Sequence, residues 1–111
     1  MTEPTVKLPA DLFIAPEKLT DYLMVWQRRG DKSAFLARAG YDLRTASLLE
    51  SDLRRLAAQA DAVRVKANPF GDYYEASGFL VGPNGVRLRV RTIWMNERLS
   101  GRTKLITLVP A

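Results

Sequence analysis

Cysteine and histidine are both absent from this chain of 111 residues. Without cysteine there is no disulfide, no thiolate nucleophile and no Cys/His zinc site. Without histidine no mechanism can use an imidazole as acid, base or metal ligand. No apolar run approaches the roughly 20 residues a membrane helix needs. The N-terminus, MTEPTVKLPADLF, lacks the layout of a secretory signal. No cofactor, no metal and no membrane contact are expected, and the cytoplasm is the expected compartment.

What is present fits one domain, because domains typically run to roughly 100–150 residues. A hydrophobic share of 47% and a charged share of 26% are ordinary globular values, which argues against wholesale disorder. The net charge of +5 is unevenly placed. Residues 1–83 hold eleven Lys/Arg and eleven Asp/Glu, whereas residues 84–104 hold Arg87, Arg89, Arg91, Arg98, Arg102 and Lys104 against one acid, Glu97. Charge concentrated on so short a stretch is a local field of the kind phosphate backbones respond to. The plainer alternative is a sheet edge kept soluble by arginines.

The chain reads as helical first and stranded second. Residues 1–15, with Pro4 and Pro9, predict an extended or frayed N-terminal arm, and residues 16–111 predict a single α+β domain. Leu19, Tyr22, Leu23 and Trp26 recur at helical spacing behind Pro16, giving a helix over 16–27 closed by Arg28-Arg29-Gly30. A short helix follows over 32–39. A longer one over 45–60, capped by Asp42 or Thr45, has the stripe Ala46, Leu49, Leu53, Leu56, Ala57, Ala60 and a Glu50–Arg54 pair on its wet side. The period then changes to two. Strands are expected over 62–67, 72–80, 86–96 and 103–109, forming a four-stranded antiparallel sheet with the N-terminal helices packed on one face.

Gly82-Pro83-Asn84-Gly85 sets the register of the middle pair. Pro suits the second position of a type I turn, and Gly85 suits the left-handed residue of a bulged three-residue loop. That loop places Leu80 opposite Leu88, Gly78 opposite Val90, Ala76 opposite Thr92 and Tyr74 opposite Trp94, which makes one apolar face. The other face pairs Phe79 with Arg89, Ser77 with Arg91 and Glu75 with Ile93, with Arg87 and Tyr73 at its ends. A slip of one residue would bury three arginines. This second face is open to solvent or to a ligand; basic residues among aromatics can hold phosphates and stack on bases. The alternative is a solvated face whose arginine stems cover apolar surface. The last strand allows two settings. Either Ile106 and Leu108 face the core with Thr107 on the open face near Arg91, the preferred one, or Leu105 and Val109 do, with Thr107 buried beside Thr92.

Several segments carry a family resemblance: Lys32-Ser33-Ala34-Phe35-Leu36 with Gly40-Tyr41, then Asn68-Pro69-Phe70-Gly71, then Tyr74-x-x-x-Gly78-x-Leu80. Gly82-Pro83-Asn84-Gly85, Val90-Arg91-Thr92-Ile93-Trp94 and Leu105-Ile106-Thr107-x-x-Pro110 complete the series. In that order, from about Ile14 to Pro110, they resemble a family of small bacterial and phage-associated domains classed as a domain of unknown function. That family is similar in turn to the barnase, EndoU, colicin and RelE group of ribonuclease toxins. The second likeness is an analogy of fold. It implies helices on a four-stranded sheet whose open face cleaves RNA, and a small cognate protein partner of antitoxin type.

Metal-independent RNA cleavage needs a base for the 2′-hydroxyl, a cation for the charge that develops on phosphorus and an acid for the leaving oxygen. The chain offers Glu75 or Tyr73 as base or acid, Arg91 and Arg89 as the clamp and Thr107 as an orienting hydroxyl. Lys32 is a second cation if its helix end reaches the site. Arg87, Arg89, Tyr73, Phe79 and Ser77 are the expected substrate-binding residues. For Glu75 the competing expectation is an ion pair with a neighbouring arginine, and for Lys32 a surface lysine. One departure counts against catalysis: the family favours Thr-x-Tyr-Pro at the end of the last strand, and here Val109 replaces the tyrosine. The expected function is RNA binding, with ribonuclease activity of toxin type. The runner-up is a non-catalytic module whose arginine face binds an acidic protein partner. A third reading is a domain cut from a larger phage or secreted protein, with the first fifteen residues as linker.

Overall fold

The turn at Gly82-Pro83-Asn84-Gly85 closes the central hairpin of the sheet. Gly82 N donates to Val86 O at 3.0 Å, Gly85 N donates to Gly82 O at 2.9 Å, and Asn84 Oδ1 accepts from Val86 N at 3.0 Å. Gly85 has φ +87°, the left-handed conformation that glycine adopts without a Cβ penalty. The computed structural model describes residues 4–23 and 31–111.

Five strands form one antiparallel sheet in sequence order: β1 (Thr5–Val6), β2 (Ala62–Asn68), β3 (Gly71–Val81), β4 (Arg87–Glu97) and β5 (Thr103–Pro110). The expectation of four strands is corrected by β1, which pairs Thr5 with Val63 and Val6 with Ala62. Two residues carry no periodicity, so this strand exists only because β2 offers it an edge. The β3–β4 register is the one the turn predicts, from Tyr74 opposite Trp94 to Leu80 opposite Leu88.

Two bulges break the simple alternation. Val65 is an extra residue on β2, between Arg64 opposite Tyr74 and Lys66 opposite Tyr73. Val65 is pushed outward and exposed, and Lys66 moves onto the face that carries Tyr73. Ile106 is an extra residue on β5, between Leu105 opposite Trp94 and Thr107 opposite Ile93. Leu105 and Leu108 are therefore both buried, so neither expected setting of the last strand holds whole. Thr107 does lie on the open face, but Ile106 is only partly buried.

The helical layer covers the other face. A π-type segment spans Lys18–Leu23 and buries Leu19 and Leu23; the rest of the helix expected over 16–27, Trp26 included, and its expected close at Arg28-Arg29-Gly30 lie outside the described residues. Helix α1 is Ser33–Ala37, and α2 is Ala46–Gln59, preceded by one 3-10 turn over Leu43–Thr45. Asp42, not Thr45, makes the side-chain cap: it accepts from Arg44 N at 2.8 Å, while Thr45 Oγ1 accepts from Asp42 N at 2.8 Å. Leu49, Leu53, Leu56 and Ala57 of α2 enter the core, with Leu56 packed over Gly78 of β3. Glu50 and Arg54 pair at 3.3 Å on the far side.

The N-terminal arm is extended and built into the fold. It leaves β1 at one edge of the sheet, buries Leu12 and Ile14 in the core, and reaches the opposite edge. There Phe13 N donates to Thr103 O at 2.8 Å and Leu105 N donates to Phe13 O at 2.9 Å. Arg54 of α2 fixes its middle through a 2.6 Å bond to Leu12 O. The strap and the helices together cover one face of the sheet.

Candidate functional site

The uncovered face is organised in rungs that run across the strands. One rung carries Lys66, Tyr73, Met95 and Lys104; the next carries Val63, Glu75, Ile93 and Thr107; above them lie Ser77, Arg91 and Val109, then Phe79 and Arg89. Side chains of β4 lean one rung along β3 rather than straight across. Arg91 stands opposite Ser77, yet its Nε lies 3.7 Å from Glu75 Oε1. Arg87 stands opposite Val81, yet its guanidinium sits 4.3 Å from the centre of the Phe79 ring. Sheet twist makes such diagonal contacts natural between long side chains.

The arginines differ in what they do. Arg87 covers an aromatic face, a cation–π contact. Arg91 makes a loose, half-exposed ion pair with Glu75, the competing expectation for that carboxylate. Arg89 makes no ion pair among the described residues. Ser77, Arg89 and Arg91 line a shallow groove of about 300 Å³ whose far wall is Pro110 and Ala111. Ala111 N donates to Arg89 O at 3.0 Å and fixes that wall. A groove with two guanidinium groups and one hydroxyl suits a phosphate-sized anion.

Around the groove the other expected residues take distinct places. Thr107 shares the rung of Glu75, with Ile93 between them, and its hydroxyl donates to Leu108 O at 3.3 Å. Tyr73 lies one rung below Glu75 on the same strand. Its hydroxyl accepts from Asn68 Nδ2 at 3.4 Å, and Lys66 Nζ stands 5.2 Å from its ring centre. Phe79 is half exposed at the upper end. Lys32 is not among them. It precedes α1 in the helical layer, on the covered side of the sheet, and its carbonyl accepts from Leu36 N. Among the described residues no hydrogen bond or ion pair joins it to Arg91 or Glu75.

Lys66 and Lys104 belong to this face and escaped the sequence reading, because two bulges moved them there. Lys104 is held by Glu97 at 2.9 Å, and that contact, with a hydrogen bond from Ser100, lowers the Glu97 carboxyl below its ordinary value. The buried polar groups lie elsewhere. Tyr41 donates to Asp52 at 2.6 Å in the helical layer, and Arg55 supports the same carboxylate at 3.2 Å. That trio ties α2 to the end of β3, where the Tyr41 hydroxyl also reaches Val81 O at 3.3 Å.

No helix among the described residues is long and apolar enough to cross a membrane. No curated protein matches the sequence. Among solved structures, the chain is similar to one chain of a contact-dependent growth inhibition toxin–immunity protein complex from Klebsiella pneumoniae 342. The two share 17% identity and a TM-score of 0.69 over 88% of this chain and 98% of that chain. At that identity the likeness is one of fold alone. A family model matches residues 7–111, nearly the whole chain, which therefore belongs to the domain of unknown function DUF6883.

Proposed function

We propose that this chain is a toxin-like RNA-binding protein that cleaves RNA on its open sheet face without a metal. The observation that carries the reading is the row Arg87, Arg89, Arg91 on a face that no helix among the described residues covers, with the Glu75 carboxylate beside Arg91. A phosphate in the groove of Ser77, Arg89 and Arg91 brings its neighbouring ribose towards Glu75. The carboxylate takes the 2′-hydroxyl proton as the 2′-oxygen attacks phosphorus. The bond from phosphorus to the 5′-oxygen breaks, that oxygen takes up a proton, and a 2′,3′-cyclic phosphate remains. Arg91 and Arg89 offset the charge that builds on the phosphoryl oxygens. Tyr73, one rung below Glu75 on the same strand, is the residue assigned to protonate the leaving oxygen. Thr107 orients the sugar from the far side of Ile93.

The fold likeness to a chain of a toxin–immunity complex supports the toxin reading and a cognate protein partner, and RNA as target makes the cytoplasm the place of action. Val109, where the family pattern has tyrosine, favours a second reading in which the face binds without cutting. Incubating purified protein with labelled total RNA in EDTA, beside Arg91→Ala, separates the two. Cleavage by the unaltered protein and none by the variant supports the nuclease. Intact RNA in both sinks it and leaves a binding module.

A further inference from the structure

Among the described residues, β3 has a stretch of edge to which no strand is paired. Strand β2 pairs with β3 only as far as Val63 opposite Glu75, whereas β3 continues to Val81. Alternation shows which groups this leaves. Gly82 N donates to Val86 O, so the main-chain groups of residues 80, 78 and 76 point at β4 and those of 81, 79 and 77 point away from it. The same parity appears on β4, where Arg89 O points outward to Ala111 N. Ser77 and Phe79 therefore present N–H and C=O groups to solvent, and Val81 presents its N–H; its carbonyl accepts the Tyr41 hydroxyl.

Exposed edges are usually blunted by lysine, proline or a bulge. Ser77-Gly78-Phe79-Leu80-Val81 has none of these, and Ser77, Phe79 and Val81 are all exposed. Arg87 and Arg89, the next residues inward on the open face, form no ion pair among the described residues. Along this edge a groove of about 160 Å³ runs between β3 and the end of α2, lined by Ser77, Gly78 and Phe79 on one side and Leu56, Gln59 and Ala60 on the other.

We propose that the edge Ser77–Val81 docks an extended, acidic segment of a protein partner, which adds as a further strand beside β3. Main-chain bonds to Ser77, Phe79 and Val81 give the affinity. Residues opposite these three put their side chains on the open face, where carboxylates meet Arg87 and Arg89. The residues between them point at the groove beside Leu56 and are apolar. The matching segment therefore alternates acidic with apolar. A second copy of this chain is a poorer fit, because antiparallel pairing about Phe79 would bring two sets of Arg87 and Arg89 together. The proposal needs neither Glu75 nor Arg91 and does not depend on RNA cleavage.

The test uses a labelled peptide of alternating glutamate and valine and follows its fluorescence anisotropy with the unaltered protein. Two N-methylated forms of the peptide decide the matter. Methylation of the glutamate amides, which face β3, should weaken binding by roughly tenfold or more. Methylation of the valine amides, which face away, should change it by less than about twofold. Loss from neither form would mean attraction by charge alone, and equal loss from both would mean a contact without this register; either would overturn the proposal, as would no binding of the parent peptide. Phe79→Pro removes an edge donor and should abolish binding; if circular dichroism shows that variant misfolded, the methylated pair still decides. A concentration-dependent dimer that the peptide dissolves would assign the edge to a second copy instead.

Discussion

The indole N–H of Trp94 donates to Thr92 Oγ1 at 2.8 Å, and that hydroxyl donates in turn to Ala76 O at 2.7 Å. Both side chains are fully buried. The relay lets a large aromatic fill the core without stranding its nitrogen. Thr92→Val keeps the shape but leaves the indole N–H with no acceptor, which costs about 1–3 kcal/mol. Urea unfolding followed by Trp fluorescence measures it, and a change under about 0.5 kcal/mol would mean that the relay contributes little.

Glu75 separates stability from activity. Its pair with Arg91 is loose and partly exposed, so Glu75→Gln should shift stability by less than about 1 kcal/mol. If the carboxylate is the base, the same change should slow RNA cleavage by roughly 100-fold or more. A variant that cuts at the unaltered rate would remove Glu75 from the mechanism.

Tyr41 should give the fold an alkaline limit. Burial first, and then the hydrogen bond to Asp52, raise its phenol far above the ordinary value of 10.0. The folded chain keeps this proton at a pH where the unfolded chain has lost it. The contribution is therefore complete below about pH 10 and declines as pH rises above it. Urea unfolding from about pH 8 to about pH 11 should show a steeper loss in the unaltered protein than in Tyr41→Phe. At neutral pH the variant should be less stable by roughly 1.5–3 kcal/mol, because a buried carboxylate loses its donor.

Two glycines of one turn should respond differently. A Cβ at Gly82 would run into the carbonyl oxygen of Ala39, a rigid main-chain atom in the turn just beyond α1. At Gly85 a Cβ would meet open space, leaving only the cost of its positive φ. Gly82→Ala should therefore destabilise by about 1–3 kcal/mol, and Gly85→Ala by about 1 kcal/mol. Thermal melts of the pair rank them; the reverse order would contradict the packing of α1 on the turn.

The central hairpin was legible because one tetrapeptide fixed its register and one alternation fixed its faces. Leu80 opposite Leu88 and Ser77 opposite Arg91 both follow from Gly82-Pro83-Asn84-Gly85. The bulges at Val65 and Ile106 were not, since an unpaired residue in a run of apolar and basic side chains has no signature of its own. Each moved a lysine, Lys66 or Lys104, onto the open face. Strand β1 was illegible for a different reason: Thr5 and Val6 are a strand only in the presence of β2. The reach of Lys32 was a question of which layer its helix occupies, and spacing along the chain carries no such information.

The strap has a consequence for the order of folding. The pairings within β2 to β5 join neighbours in sequence and cost little loop closure, so they can form early. The strap must wait, because Thr5 finds Val63 and Phe13 finds Lys104 only after both margins of the sheet exist. We expect it to be the last segment to settle and the first to open. Native-state hydrogen exchange should find the amides of Val6, Phe13 and Leu105 opening at lower free energy than those of Val90 and Thr92. Uniform protection across both groups would show instead that the strap and the sheet fold as one unit. If the strap does open first, a segment made before the sheet it clasps is the part of the domain that locks last.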